Sequence, residues 1–119
     1  MSQTRSFPCR ILRVIDGDTI DVVADLGFLI DHKVRVRLSG IDCPETRTRN
    51  VEEKDRGLQA KAFVENLLGM KDEKYTLESY GIERYGRIIG DILIEYDEGK
   101  RGYLTRILLD AEHAVRKEY

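Results

Sequence analysis

Three ionisable side chains project from one short stretch of the sequence, residues 36–46, which reads Val-Arg-Leu-Ser-Gly-Ile-Asp-Cys-Pro-Glu-Thr. Arg37 carries a fork of N–H donors that suits two phosphate oxygens, and Asp42 carries the oxygen ligands that Ca²⁺ and Mg²⁺ prefer. Glu45 could orient or deprotonate a water molecule beside such a cation. The same residues also fit a capped loop with solvated charges, so this stretch alone supports a phosphate-and-metal site and an ordinary turn about equally well.

Two other segments offer matching chemistry. Asp18 follows a turn at the head of a strand, where a carboxylate is held firmly near solvent as a hard cation requires, whereas Asp16 is better explained by the turn itself. In the segment 84–87, Arg-Tyr-Gly-Arg, an arginine could grip a phosphate while Tyr85 stacks on a nucleotide or hydrogen-bonds to it. Taken alone, Asp18 is more often a strand-end charge, and Tyr-Gly-Arg is more often an ordinary hairpin loop.

The elements that must position these residues follow a recognisable order: three strands, a helix, two strands and a second helix. The strands are predicted at Pro8–Ile15, Thr19–Ala24, Leu29–Leu38, Tyr75–Ser79 and Arg87–Tyr96, and the helices at Glu52–Leu68 and around Leu104–Ala111. This order predicts a mainly β protein with some α-helix, a five-stranded OB-fold barrel with a helix between strands 3 and 4 and a second helix near the C-terminus. Barrel closure hides the strand edges, and an open α+β sheet is the alternative.

Hydrophobic periodicity predicts which faces are buried. In the third strand the core face is assigned to alternate residues, namely Ile30, His32, Val34, Val36 and Leu38. Arg37 then lies on the opposite, polar face of the sheet. In the fifth strand one face is assigned to Ile88, Ile92 and Ile94, and the other to Arg87, Asp91 and Glu95. The buried face of the long helix is assigned to Ala60, Phe63, Val64, Leu67 and Leu68, and Gly69 suits its C-terminal cap.

Composition limits the protein class. A chain of 119 residues is expected to form a single domain, residues 1–119, and we expect a monomer. The net charge of −2 argues against a generally basic nucleic-acid coat, although Lys33 to Lys61 hold eight Lys or Arg against five Asp or Glu. Cys9 and Cys43 are expected to be free thiols. With no membrane-length apolar run and no signal-type segment, the expected location is the cytoplasm, without membrane contact, or outside the cell if a signal was removed.

Three segments of the sequence together resemble the signature of the staphylococcal nuclease-like (thermonuclease) family. They are Ile15–Thr19, Val36–Thr46 and Tyr85–Arg87, in the order and with spacing compatible with that family. The resemblance covers about Arg10 to Val115, and an RLxGIDxPE segment that follows an IDGDT segment is highly specific. It implies an OB-fold phosphodiesterase that hydrolyses DNA and RNA with calcium, with single strands preferred and with little dependence on sequence.

The resemblance also implies a metal site. By position, Asp18 and Asp42 would be the carboxylate ligands of Ca²⁺, and the backbone carbonyl of Cys43 would be a third protein ligand. Cys43 stands where threonine is frequent in the family, which matters little if only its carbonyl binds metal.

The remaining roles follow in the same way. Glu45 would act as general base, and Arg37 and Arg87 would bind the scissile phosphate and stabilise the charge of the transition state. Arg84 and Tyr85 would contact a second phosphate or the sugar and base of the substrate. The alternative function is a noncatalytic nucleic-acid-binding or protein-interaction module on the same barrel.

Overall fold

A computed structural model of the chain describes residues 4–69, 74–96 and 99–117. Over these residues the strands are β1 Arg5–Asp16, β2 Thr19–Asp25, β3 Asp31–Leu38, β4 Ile41–Asp42, β5 Lys74–Ile82, β6 Ile88–Tyr96, β7 Lys100–Tyr103 and β8 Val115–Arg116. The helices are α1 Val51–Leu68 and α2 Leu104–Asp110. All five predicted strands and both predicted helices are present. The sequence 97–100, Asp-Glu-Gly-Lys, also predicts a turn, and this segment falls partly outside the described residues.

Five strands close into a mixed barrel, which confirms the fold predicted from the order of elements. Antiparallel pairing runs in the order β3-β2-β1-β5-β6, and a parallel pairing of β3 with β6 closes the ring. This closing pair places Val36 opposite Ile88 and Leu38 opposite Gly90. The closure brings the end of β3, which carries Arg37, beside the start of β6, which follows Arg87.

Three short strands were not predicted from the sequence. The four-residue β7 extends the sheet beyond β6, and β4 pairs with β8 in a two-stranded ribbon. In that ribbon Ile41 lies opposite Arg116 and Asp42 lies opposite Val115. Strands of two to four residues show no hydrophobic period, so only the tertiary pairing defines them.

The core fills the barrel and the spaces beneath the two helices. Its fully buried large side chains are Ile20, Val22, Val36, Leu38, Ile41, Val64, Leu77, Ile92, Ile94, Leu104 and Leu108. The predicted face of α1 is confirmed, with Ala60, Val64 and Leu68 buried and Phe63 and Leu67 half-buried against the core. Within the described residues, no helix combines the length and the apolar character that crossing a membrane requires.

The predicted burial of Ile30 and His32 is wrong, because both side chains are exposed. The β2–β3 hairpin ends in a turn at Phe28 and Leu29, whose φ angles are 55° and 64° and whose side chains are 97% and 103% exposed. Hydrogen bonds from the Leu26 amide to the Ile30 carbonyl and from the Ile30 amide to the Gly27 carbonyl, both 2.9 Å, hold this turn. The alternation continues past the point where the core ends, so periodicity alone overestimated the buried part of β3.

Asp91 lies on the face of β6 opposite that of Ile92, yet this carboxylate is buried and only 6% exposed. Its carboxylate accepts hydrogen bonds from the Ile92 amide at 2.9 Å, the Thr105 amide at 3.2 Å and the Thr105 hydroxyl at 2.5 Å. The N-cap residue of α2, Tyr103, makes no side-chain capping bond, so Asp91 supplies from β6 the acceptor that the helix start lacks. Burial raises the pKa of Asp91, and the nearby Glu78 adds to the rise, against the three hydrogen bonds that lower it.

The raised pKa of Asp91 has a consequence for stability. In the pH interval between the ordinary aspartate pKa and the raised folded value, the folded state holds more protons than the unfolded state, so stability falls as the pH rises. Asp91→Asn removes this fall. We expect the free energy of unfolding of Asp91→Asn, relative to the parent, to increase as urea titrations move from pH 4 towards pH 7. Profiles that remain parallel over this interval would contradict the assignment.

Candidate functional site

An open cleft of about 530 Å³ lies at the end of the barrel where β3, β4 and the start of β6 meet. Its lining residues are Asp16, Asp18, Thr19, Arg37, Asp42, Cys43, Glu45, Arg47, Glu53, Arg87 and Lys117. Six of the eight site residues predicted from the sequence therefore share one cleft. The other two, Arg84 and Tyr85, lie in the β5–β6 loop and do not line it.

The Arg37 guanidinium is the central group of this cleft, and its side chain is only 12% exposed. Its Nη1 donates to the carbonyl oxygens of Leu38 at 2.9 Å and Ile41 at 3.0 Å. Its Nη2 donates to Oδ1 of Asp42 and lies 3.5 Å from Oδ2 of Asp18. Two backbone carbonyls thus hold the Arg37 guanidinium in place, and it bridges both carboxylates predicted to bind metal.

Asp18 is buried, which is unusual for a charge at the end of a strand. The Thr19 hydroxyl donates to its Oδ1 at 3.0 Å, and the Cys43 amide donates to its Oδ2 at 2.8 Å. The Asp18 carbonyl accepts from the Leu38 amide at 2.9 Å. The β1–β2 turn is therefore attached to β3 and to the chain just after β4, and the Asp18 carboxylate is fixed in orientation.

Asp42 is the more accessible carboxylate, with a side chain that is 42% exposed. Besides Arg37, it has a cationic neighbour in Lys117, whose Nζ lies 3.7 Å from Oδ2. Lys117 reaches the cleft because its amide donates to the Gly40 carbonyl at 2.9 Å, next to the β4–β8 ribbon. No pattern in the sequence indicates a role for Lys117, because its contact with Asp42 depends on a pairing between segments far apart in the chain.

The donor set of the cleft suits a hard cation in part. Asp18 and Asp42 supply only oxygen atoms, and a carboxylate oxygen that accepts one hydrogen bond keeps a second lone pair for a metal. Among residues 4–69, 74–96 and 99–117, no three or more Asp, Glu, His or Cys side chains gather as a metal cluster. Further ligands would therefore have to come from backbone carbonyls, such as that of Cys43, and from water, which Ca²⁺ accepts readily.

Glu45 is exposed at the cleft, and its backbone is held firmly by α1. A Cβ at Gly57 would lie 2.5 Å from the Glu45 carbonyl oxygen and 2.9 Å from that of Pro44, so only glycine allows this approach. Nearby, the Thr46 hydroxyl donates to Oδ1 of Asp16 at 2.6 Å. The Glu45 carboxylate thus extends into the cleft from a fixed loop, and Asp16, which also lines the cleft, anchors that loop.

The loop continues into a well-capped helix. The Glu53 amide donates to the Asn50 side chain at 3.0 Å, and the Thr48 hydroxyl donates to the Glu53 carboxylate at 3.3 Å. Asn50 therefore serves as the N-cap of α1, which satisfies an amide that the helix itself leaves without an acceptor. Capping fixes where α1 begins and so where the preceding loop must run.

The Cys43 thiol contributes packing to the site. The residue is 8% exposed, and a Cβ at Gly17 would lie only 2.9 Å from its Sγ. Burial raises the pKa of the Cys43 thiol to about 12, with the charge of Asp18 adding to the rise. A thiol held in this neutral form is a poor nucleophile, so the chemistry of the cleft comes from its carboxylates and guanidinium groups.

Arg87 lies at the rim of the cleft and is oriented by Glu83. Its Nε and Nη2 donate to the two Glu83 carboxylate oxygens at 2.9 Å and 2.8 Å, and this pairing lowers the pKa of Glu83. Tyr85 is 79% exposed, and the Arg84 guanidinium carbon lies 5.7 Å from its ring centroid. Arg84, Tyr85 and Arg87 thus lie close together in sequence at the edge of the barrel, and of these three only Arg87 lines the cleft.

Comparison with known proteins agrees with this geometry. The family model described as staphylococcal nuclease homologue matches residues 35–116. The chain belongs to this family. The match begins after Asp18, so the inclusion of Asp18 in the cleft of this family member rests on its contacts with Arg37 and Cys43.

Curated relatives carry names of the same kind. The chain is 37% identical over 91 residues to Protein ParB of Escherichia coli, covering 76% of this chain and 44% of the relative. It is 34% identical over 83 residues to an uncharacterized endonuclease of E. coli, covering 70% and 46%. It is 31% identical over 80 residues to the thermonuclease of Staphylococcus hyicus, covering 67% and 44%. The chain thus spans about half the length of the curated relatives it matches.

The close contact at Gly57 can be tested directly. In an ordinary helix interior, Gly→Ala raises stability by up to about 1 kcal/mol. Here we expect Gly57→Ala to lower the free energy of unfolding by about 1–3 kcal/mol, because the new methyl group overlaps the Pro44 and Glu45 carbonyls. Gln59→Ala, on the exposed side of the same helix, should change it by no more than about 0.5 kcal/mol in the same urea titration. A stabilised Gly57→Ala would contradict the proposed support of Glu45.

Proposed function

We propose that this chain is a calcium-dependent nuclease domain that hydrolyses phosphodiester bonds of DNA and RNA with little sequence specificity. The observation that carries the proposal is the cleft in which Arg37 bridges Asp18 and Asp42 while Glu45 and Arg87 line the same space. Membership of the staphylococcal nuclease homologue family and the names thermonuclease and endonuclease among its relatives support it.

The two arginines suit the charge of a phosphodiester. A phosphodiester anion repels nucleophiles, so a catalyst must neutralise its charge and hold a water molecule in line with the leaving oxygen. The Nη1 of Arg37 is held by two backbone carbonyls, so the guanidinium keeps its plane when its other donors turn to a phosphate. Arg87, fixed by Glu83, lines the same cleft and can approach the same phosphate.

The carboxylates would hold the cation. Asp18 and Asp42, with the backbone carbonyl of Cys43, are the residues that would bind Ca²⁺. When bound, the ion would add positive charge next to the phosphate without requiring a rigid coordination geometry. Asp18 brings a carboxylate whose orientation is set by the Cys43 amide and the Thr19 hydroxyl, and Asp42 brings one that is open to solvent.

Glu45 is the group best placed to take a proton. Its carboxylate is exposed in the cleft, and its backbone is fixed against α1, so it can accept a proton from water at a carboxylate oxygen. Because the cleft is open and its arginines address phosphate, we include in the proposal a preference for flexible single strands. The monomeric state and the cytoplasmic location expected from the sequence complete the proposal.

The test is cleavage of single-stranded DNA and RNA oligonucleotides with Ca²⁺, repeated with chelator. We expect the parent to cleave both, and chelator to abolish cleavage. Arg37→Gln should lower the rate about 10²–10³-fold, the loss typical of one donor to a developing oxyanion, and Glu45→Gln about 10²–10⁴-fold, as for a general base. Arg106→Gln is the matched control, because its exposed guanidinium pairs with the exposed Asp110 of α2 and lies outside the cleft.

The outcomes separate the candidate functions. One outcome is that the folded parent cleaves nothing, while Arg37→Gln and Glu45→Gln bind oligonucleotides as tightly as the parent does. The chain would then be a noncatalytic binding module and not a nuclease. Cleavage that is equally strong with chelator would remove the calcium requirement alone. A cleavage rate that Arg37→Gln leaves unchanged would exclude the proposed role of the cleft.

A further inference from the structure

A second groove, of about 520 Å³, continues from the cleft along the outer face of β3. Arg87 lines both the cleft and the groove, so the two spaces adjoin at that side chain. Lys33 and Arg35 line the groove, and Arg37 lines the cleft. None of the roles derived above for the catalytic residues uses Lys33 or Arg35.

Lys33, Arg35 and Arg37 are alternate residues of one strand, so they share one face of β3. Two residues of an extended strand advance about 6.7 Å, which is close to the separation of successive phosphates along an extended polynucleotide. The three cations therefore form a line that begins at the phosphate-binding position of the cleft and leads away from it. This spacing fits a polynucleotide strand that continues past the bond being cleaved.

The groove has a fixed polar floor. Arg35 donates from Nε to Oδ1 of Asp21 at 2.8 Å and from Nη2 to Oδ2 at 3.1 Å, while Arg13 donates to the same Oδ2 at 3.3 Å. Arg35 lowers the pKa of Asp21, so this carboxylate stays ionised and keeps the guanidinium in place. These two bonds use two of the five N–H groups of Arg35, which leaves three donors for a ligand.

An exposed aromatic ring stands at the junction with the cleft. Tyr85, 79% exposed, lines the groove beside Arg87, and Arg84 lies over its ring at 5.7 Å. An exposed ring next to a row of cations is the arrangement with which proteins hold single strands, because bases stack on the ring while phosphates meet the charges. Lys33, Arg35 and Arg87 outnumber Asp21 in the groove of a chain whose net charge is −2.

We propose that this groove is a second subsite for single-stranded nucleic acid, in which Lys33 and Arg35 bind phosphates beyond the cleaved bond and Tyr85 stacks on a base. The proposal rests on the proposed function for the identity of the ligand. It adds a specificity for length: a substrate long enough to leave the cleft gains contacts that a short one lacks.

The test measures binding by fluorescence anisotropy, with Glu45→Gln as the background so that the labelled strand stays intact. A 12-nucleotide single-stranded DNA is compared with a dinucleotide, whose one phosphate fills the cleft and does not reach Arg35. Adding Lys33→Gln and Arg35→Gln should weaken 12-mer binding about three- to fivefold per cation and leave dinucleotide binding unchanged. The negative slope of log K against log salt should become shallower by about 1.4, or about 0.7 for each lost contact. Tyr85→Ala should weaken 12-mer binding about fivefold or more.

The matched control is the pair Arg101→Gln and Arg106→Gln, which makes the same charge change on β7 and α2, away from both spaces. This control should retain parent affinity for both oligonucleotides. Unfolding titrations of each variant confirm that the binding loss does not come from an unfolded fraction.

The outcomes for the groove and for the nuclease are distinguishable. If the Lys33 and Arg35 variant keeps the 12-mer affinity and the salt slope of the parent, the groove is not a nucleic-acid subsite, whatever the parent cleaves. An equal loss of 12-mer affinity in the control pair would also overturn the proposed subsite. So would a polyglutamate peptide that binds the groove as tightly as the 12-mer does. A parent that cleaves nothing but binds the 12-mer through Lys33 and Arg35 removes the nuclease and leaves the subsite standing.

Discussion

The cleft depends on one ionic contact, in which the Arg37 guanidinium neutralises the carboxylates of Asp18 and Asp42 and donates to the carbonyls of Leu38 and Ile41. Without this cation, two negative groups would face each other at the end of the barrel, one of them buried. Removal of one partner from such a cluster leaves an uncompensated buried charge. The loss of stability is far greater than when one partner of an exposed pair is removed. The contact therefore fixes both the geometry and the charge of the site.

The rest of the fold delivers residues to this contact. Parallel pairing of β3 with β6 places the strand of Arg37 next to the strand that begins after Arg87, and so sets two arginines on one cleft. On the other side, α1 supports the Glu45 loop through the close approach at Gly57. Barrel closure and helix packing thus act on the site through named backbone contacts, and the cationic line along β3 follows from the same strand.

Much of this could be predicted from local patterns. Alternation located the five barrel strands, the 3.6-residue period located the buried face of α1, and three separated segments indicated a shared site. The sequence could not show that Arg37 bridges the two carboxylates, because the pattern placed it on a polar face and carried no information about distance. Lys117 reaches Asp42 through the β4–β8 ribbon, and Asp91 is buried where α2 packs against β6 and takes an N-terminal acceptor from it. Ile30 was assigned to the core because a period cannot tell where the core stops.

If Asp18 and Asp42 bind Ca²⁺ as proposed, the ion must share these two carboxylates with the Arg37 guanidinium, which bridges them. The most direct measurement is a calorimetric titration of Ca²⁺ into the parent, Arg37→Gln and Asp42→Asn, without nucleic acid. Arg37→Gln should bind Ca²⁺ more tightly than the parent, on the order of tenfold, because a repelling charge is lost. Asp42→Asn should bind it more weakly. Equal affinity in all three proteins, or no binding by any of them, would contradict a calcium site at Asp18 and Asp42.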